Sequence, residues 1–174
     1  MPFDGKVHFG YWTAIHGPGS GWAEIRSALA FHGKPIWFTG HSQGAALALI
    51  AALDAKENGV PVAGIYTYGC PRVGDADFAS AIPSPNYRVV NETDVVTHVP
   101  VPVPFLLPYK HAGERVWVDS AGAMHTDEAP RPELVLIQEA LDFAGKGRQG
   151  QTPEIVLKMH AARVYAAKLW NLLV

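Results

Sequence analysis

Apolar and polar positions change rhythm along this chain, and each rhythm predicts a different element. From Trp22 to Phe31 apolar residues recur at helical spacing, which predicts an amphipathic helix. After Pro35 the run Ile36-Trp37-Phe38-Thr39 is aromatic and β-branched, the pattern of a buried strand. Gly40 to Gly44 reads as a tight turn, and Ala45 to Lys56 as a helix apolar almost all round, suited to the centre of a domain. Asn58-Gly59 stops it. Ala63 to Tyr68 is a second strand, Gly69 to Gly74 a loop holding Pro71, Asp75 to Ile82 a short helix capped by Asp75, and Tyr87 to Asn91 a third strand. Val99 to Pro108 alternates proline with apolar residues and excludes a regular helix. Arg115 to Val118 is a fourth strand. Glu133 to Ala144 and Glu154 to Leu173 are amphipathic helices joined by a flexible Gly145 to Gly150.

Strands alternating with helices predict the α/β class, a mostly parallel sheet flanked by helices, in a single domain over 1–174. Ligands bind beyond the carboxyl ends of such strands, so the residues that follow each strand carry the chemistry. Composition narrows the picture. Apolar residues make up 48% and charged residues 17%, a globular balance. A net charge of −2 offers no basic stripe for nucleic acid and no polybasic anchor for a membrane. The apolar run Ala45 to Leu53 is too short to span a bilayer. Cys70 is the one cysteine, which excludes an internal disulfide. Met1 to Lys6 lacks the basic-then-apolar pattern of a signal peptide, and the compartment stays open. The 8 histidines are scattered and form no H-x-x-x-H cluster, so no metal or other cofactor is expected.

Gly40-His41-Ser42-Gln43-Gly44 is G-x-S-x-G between a strand and a helix, the context of a nucleophilic serine on a sharp turn. Side chains two positions before and after the serine are expected to collide with the flanking strand or helix, which accounts for both glycines. The helix N-terminus behind Ser42 favours a developing oxyanion, with the Gln43 N–H as its first donor. In the chain order Ser, acid, His, the acid belongs just past a later strand. Asp94 stands there, held inward by Val95-Val96, with Glu92 as its near competitor. The base follows the acid, and His98, His111, His125 and His160 are the candidates. His98 shares the loop of Asp94, which makes reaching Ser42 awkward. His160 begins an apolar-faced helix that includes Val164, Tyr165 and Leu169, and spacing puts it only modestly ahead of His125. His41 is expected to be a packed, hydrogen-bonded residue.

These residues together resemble the fungal-type triacylglycerol lipases, the class 3 lipases. Val7 to Tyr11 resembles V-H-x-G-F. Thr39 to Ala48 matches T-G-H-S-x-G-[GA]-A-L-A, and Tyr66 to Asp75 resembles Y-T-F-G-x-P-R-V-G-D. Arg88-Val89-Val90-Asn91 with Asp94, Val96 and Pro100 resembles R-V-V-N-x-x-D-x-V-P-x-x-P. Tyr109, His111, Gly113, Glu114 and Trp117 resemble Y-x-H-x-G-x-E-x-W, and His160 with Tyr165 and Leu169 resembles the C-terminal H-x-x-x-x-Y-x-x-x-L. Thr97 and His98 depart slightly from the pattern. The resemblance implies an α/β-hydrolase fold and ester hydrolysis through an acyl-serine, without a metal, on lipid or other acyl esters. It makes Asp94 the acid and His160 the base.

The family's oxyanion strand and lid precede the V-H-x-G-F segment, and here 6 residues precede Val7, so the fold is expected to be truncated on its N-terminal side. Loss of one oxyanion donor costs on the order of 10²–10³ in turnover. The glycine-rich loop His16 to Gly21, or a second subunit pairing with an exposed sheet edge as a homodimer, are the expected replacements; a slow enzyme is the remaining option. Without a lid, Val99, Val101, Phe105 and Leu106 are expected to line an acyl groove for short- to medium-chain esters. Two alternatives remain: a weakly active or non-catalytic lipase-like binding module, and a polysaccharide esterase whose Tyr11, Trp12 and Trp22 stack on substrate.

Overall fold

The computed structural model describes residues 5–91, 94–103, 108–126, 138, 142 and 158–172. Its element order is α1 (Phe9–His16), α2 (Trp22–His32), β1 (Ile36–His41), α3 (Gln43–Glu57), β2 (Val62–Tyr68), α4 (Ala76–Ala81), β3 (Asn86–Asn91), a 3-10 turn (Val95–His98), β4 (Glu114–Val118), β5 (Met124–His125) and α5 (Ala162–Trp170). The described sheet has the order β1-β2-β3-β4-β5, parallel from β1 to β4 and antiparallel at β5. The carboxyl ends of β1, β2 and β3 therefore lie side by side at one end of the sheet.

Alternation along the strands decides which helix covers which face. Phe38 and Ile65 point to one face, where they join Leu49, Ile50 and Leu53 of α3 in one core cluster. Burying each of these large apolar side chains stabilises the fold by roughly 1.5–3 kcal/mol. Tyr68, Val89 and Val118 point to the other face and meet Tyr165 and Leu169 of α5. No described helix is long and apolar enough to cross a membrane.

α3 is buried along nearly its whole length, in line with its all-round apolar pattern. It ends where Gly59 turns the chain at φ 77° and the Val60 N–H reaches the Ala55 carbonyl at 2.9 Å. Asp75 caps α4, its Oδ1 accepting from the Phe78 N–H at 3.0 Å. The same carboxylate accepts from the Lys6 N–H at 2.9 Å, tying the segment before α1 to the loop after β2. Trp22 is in the core, donating from Nε1 to Asp54 at 2.7 Å, and Tyr11 and Trp12 pack partly buried against that core. These three rings are packing residues.

Several expectations need correction. α1 was not anticipated, because its apolar residues surround the helix and Gly10 interrupts it. β5 is a second addition: the Asp119 carboxylate accepts from the Ala123 N–H at 2.8 Å and folds the chain back. His125 is thereby half-buried and stacked on Trp117 at 4.1 Å between ring centres. The helix expected over Glu154 to Leu173 is broken. Lys158–His160 form one helical turn, Ala161 is extended at φ −60° and ψ 135°, and α5 starts at Ala162. The break leaves the His160 carbonyl outside the helix ladder, and His41 Nε2 takes it at 2.7 Å. The helix expected over Glu133 to Ala144 lies almost wholly outside the described residues.

The two glycines around the serine are not equivalent. A Cβ on Gly40 would sit 2.2 Å from the Gly44 carbonyl oxygen and 2.7 Å from the Ala45 nitrogen. A Cβ on Gly44 would meet nothing within 4 Å among the described residues, contrary to the collision expected at both positions. Gly40→Ala is therefore expected to lower the free energy of unfolding by roughly 1–3 kcal/mol. Gly44→Ala should leave it within about 1 kcal/mol. Urea unfolding followed by circular dichroism distinguishes the two, and equal losses would contradict the packing described.

Candidate active site

β1 runs straight into the turn that presents Ser42. The ladder continues one residue past the strand, with the Ser42 N–H donating to the Tyr68 carbonyl at 2.9 Å. The Ser42 carbonyl accepts from Ala45 N–H at 3.0 Å and so begins α3. Between these anchors Ser42 is held at φ 58° and ψ −126°, the one described non-glycine residue with positive φ. Such a conformation costs on the order of 1–3 kcal/mol and persists only where the surroundings over-determine it. Here the strand behind and the buried helix ahead do so, and the side chain is free to point away from both.

The structure brings His160 to it. His160 Nε2 lies 2.6 Å from Ser42 Oγ, and His160 Nδ1 lies 2.8 Å from Asp94 Oδ2. A carboxylate only accepts, so Nδ1 carries the proton and Nε2 presents a lone pair to the serine hydroxyl. Asp94 follows β3 and its side chain has no exposed surface. A buried charge needs several partners. Asp94 Oδ1 accepts from the Val96 N–H at 3.0 Å, and Oδ2 accepts from the Tyr165 hydroxyl at 2.5 Å. Burial and the nearby carboxylate push the Tyr165 phenol well above its ordinary range, so it stays a donor.

A second set of bonds fixes the segment that carries His160. The Asn91 N–H donates to the Tyr165 oxygen at 3.0 Å, and Asn91 Nδ2 donates to the Met159 carbonyl at 2.8 Å. Lys168 Nζ donates to Asn91 Oδ1 at 2.8 Å, so α5 is stapled to the end of β3. Gly69 closes the site from β2. It sits at φ 59°, and a Cβ there would lie 2.9 Å from Asp94 Oδ2 and 3.0 Å from His160 Cε1. Only a glycine allows this backbone to approach the pair so closely.

Gln43 and Gly44 are exposed at the N-terminus of α3, where the first N–H groups have no intrahelical acceptor. The glycine-rich loop His16 to Gly21 is not beside them. Trp22 Nε1 binds Asp54, and the Asp54 carboxylate also acts on His16, so both ends of that loop lie near Asp54. Asp54 stands roughly 16 Å along α3 from Gln43 at the rise of an α-helix. The Trp22 end of that loop is thus anchored away from Ser42, and no described contact joins the loop to the serine.

None of the remaining candidate bases has a described hydrogen bond to Ser42. His125 Nε2 pairs with Asp119 at 2.9 Å. His98 and His111 sit together, ring centres 6.5 Å apart, among Arg72, Arg88 and Arg115. Burial, then Arg72 and Arg88, hold the His98 ring down at about 4. Val99 and Val101 are half-buried, and no described contact joins them to Ser42. Glu92, Phe105 and Leu106 lie outside the described residues. The roles of Tyr165, Asn91, Gly69 and His41 around the pair were not read from the sequence. Tyr165 stands in the C-terminal motif, but nothing in that pattern says that its hydroxyl points at Asp94.

Known proteins share this chain's sequence and fold. The family model for lipase (class 3) matches residues 1–103. A lipase of Rhizomucor miehei is 42% identical over 99 residues, covering 53% of this chain and 24% of the relative. Secreted mono- and diacylglycerol lipase 3 of Gibberella zeae is 35% identical over 136 residues, covering 71% of this chain and 40% of the relative. The chain thus spans less than half the length of these relatives. Among solved structures, the Rhizomucor miehei triacylglyceride lipase superposes with a TM-score of 0.60 at 29% identity, covering 80% of this chain and 58% of that one. A triacylglycerol lipase described as having a serine protease triad at its catalytic centre gives 0.57 at 30% identity, over 70% of this chain and 48% of its own. By its sequence match and its α/β-hydrolase fold, this chain belongs to the class 3 lipase family.

Proposed function

We propose that this chain hydrolyses carboxylic esters through an acyl-serine intermediate on Ser42, with His160 as general base and Asp94 as its orienting acid. The observation that carries the reading is the continuous relay, 2.6 Å from Ser42 Oγ to His160 Nε2 and 2.8 Å from His160 Nδ1 to Asp94 Oδ2. His160 Nε2 takes the hydroxyl proton as Oγ attacks the ester carbonyl. The Gln43 N–H, at the positive end of α3, meets the oxyanion as it develops. Collapse expels the alcohol, which receives the proton from His160, and water then releases the acid by the same steps in reverse. Asp94 stays ionised and stabilises the imidazolium. Lipid esters fit as the substrate class, since the relatives include mono- and diacylglycerol lipases.

Acyl chains of short to medium length complete the proposal. The exposed N-terminus of α3 is consistent with open access to Ser42, and Val99 and Val101 are proposed as part of the acyl wall. One oxyanion donor is assigned among the described residues, so turnover is expected about 10²–10³ below that of a two-donor site.

A fluorophosphonate probe should label the protein once, on Ser42, and Ser42→Ala should abolish the label. Labelling that persists in Ser42→Ala would refute the assignment. Tyr165→Phe removes a donor from a buried carboxylate and should lower stability by about 1.5–3 kcal/mol, read from the urea midpoint. Gly69→Ala should displace His160 and cut kcat by about 10²-fold with little change in KM; an unchanged kcat would exclude the close approach as a requirement. p-Nitrophenyl butyrate should turn over faster than the palmitate ester, and comparable rates would contradict the chain-length preference.

A further inference from the structure

Arg72, Arg88 and His111 stand in three of the motifs that carry the family resemblance, yet the relay at Ser42 uses none of them. Thr67, Arg88 and Arg115 are register partners across β2, β3 and β4, so they share one sheet face. Asn86 lies two residues before Arg88 on that face. It packs under Gly113, where a Cβ would meet its side chain at 2.6 Å. His98 and His111 complete the group.

This cluster is short of partners. Among the described residues, the buried atoms Arg88 Nε, Asn86 Nδ2 and Oδ1, His98 Nδ1 and His111 Nδ1 find no hydrogen-bond partner. Arg88 and Asn86 are each only 7% exposed. Among the described residues no carboxylate meets Arg88. The charged or ionisable groups acting on it are Cys70, Arg115, Arg72 and Tyr165. The Cys70 thiol is pushed by burial up to about 12 and is neutral. Asp94 reaches His98, but it is committed to His160, Tyr165 and the Val96 N–H.

A buried guanidinium without a counter-charge costs several kcal/mol, and buried donors without acceptors add to that. A water molecule satisfies donors but leaves the charge standing. A small anion does both. We propose that this cluster is a buried binding site for a monatomic anion of the chloride type, held by Arg88 Nε, Asn86 Nδ2, and the Nδ1–H groups of His98 and His111.

The chemistry of the group agrees with such a guest. Burial first, and then the surrounding arginines, keep both histidines neutral at pH 7, so each can hold its proton on Nδ1. Burial, Arg115 and Arg72 pull Arg88 down to about 10, which leaves it charged at neutral pH. The site also bears on the active end of the sheet. Arg72 donates to the His98 and Pro100 carbonyls, and its N–H donates to the Val99 carbonyl at 2.8 Å. The 3-10 turn that begins just after Asp94 thus rests on the anion cluster.

Two readouts on the whole chain test this. In crystals soaked in sodium bromide, an anomalous peak is expected within hydrogen-bonding distance of Arg88 Nε. In solution, replacing sodium gluconate by sodium chloride at constant ionic strength should raise Tm by roughly 5–10 °C once the anion reaches about 100 times its Kd. Arg88→Met should lose both signals; if it does not fold, His111→Phe serves as the second variant and should weaken both. A water without anomalous signal at the cluster, or equal Tm in the two salts, overturns the proposal. So does a bromide peak with no effect on Tm, which marks an adventitious ion only.

Discussion

A carboxylate with no exposed surface must be met by donors from whatever part of the chain can bring them, and Asp94 organises this end of the molecule accordingly. Its donors come from the backbone two residues ahead, from the Tyr165 hydroxyl on α5, and from the His160 ring on the segment that leads into α5. Breaking such a buried pair typically costs about 3–5 kcal/mol. That requirement draws α5 onto the sheet face formed by Tyr68, Val89 and Val118 and places an imidazole over the bend at Ser42. The strain at Ser42 is supported from the other side, by the buried length of α3. The relay therefore joins two separately packed halves, one on each face of the sheet.

How much of this could be read from the residues depends on the range of the forces involved. β1, α3, β2 and β3 were readable because their patterns are local: an uninterrupted apolar run, an all-round apolar helix, and glycine or asparagine at the stops. The Asp75 cap was readable for the same reason. The break at Ala161 was not, because the amphipathic pattern runs through it and the group that stabilises it, His41, is remote in sequence. Residue spacing could not choose firmly between His160 and His125 either. The choice came from the family motif, and the geometry that brings the ring to Ser42 depends on Asn91 and Tyr165 contacts that leave no periodic trace. Gly44 shows the opposite error: a real motif position was given a steric reason that belongs only to Gly40.

β3 links the two polar systems of the molecule. One of its faces carries Val89 toward α5, the other carries Arg88 into the arginine and histidine cluster, and its end delivers Asn91 and then Asp94. A buried positive charge on the strand and a buried negative charge just beyond its end are thus held a few residues apart, each solved differently. Asp94 is met by hydrogen-bond donors within the chain, from the His160 ring, the Tyr165 hydroxyl and the Val96 N–H. Arg88 has none of opposite sign among the described residues, which is why its surroundings call for a guest.

The proton between Asp94 and His160 is the most direct witness to the central claim. In water, a proton NMR spectrum of the intact protein should show a far-downfield resonance from the His160 Nδ1–H, shielded from exchange by its bond to a buried carboxylate. It should vanish in His160→Ala and move sharply upfield in Asp94→Asn. A spectrum without that resonance, or one that neither substitution alters, would contradict the relay on which the proposed chemistry stands.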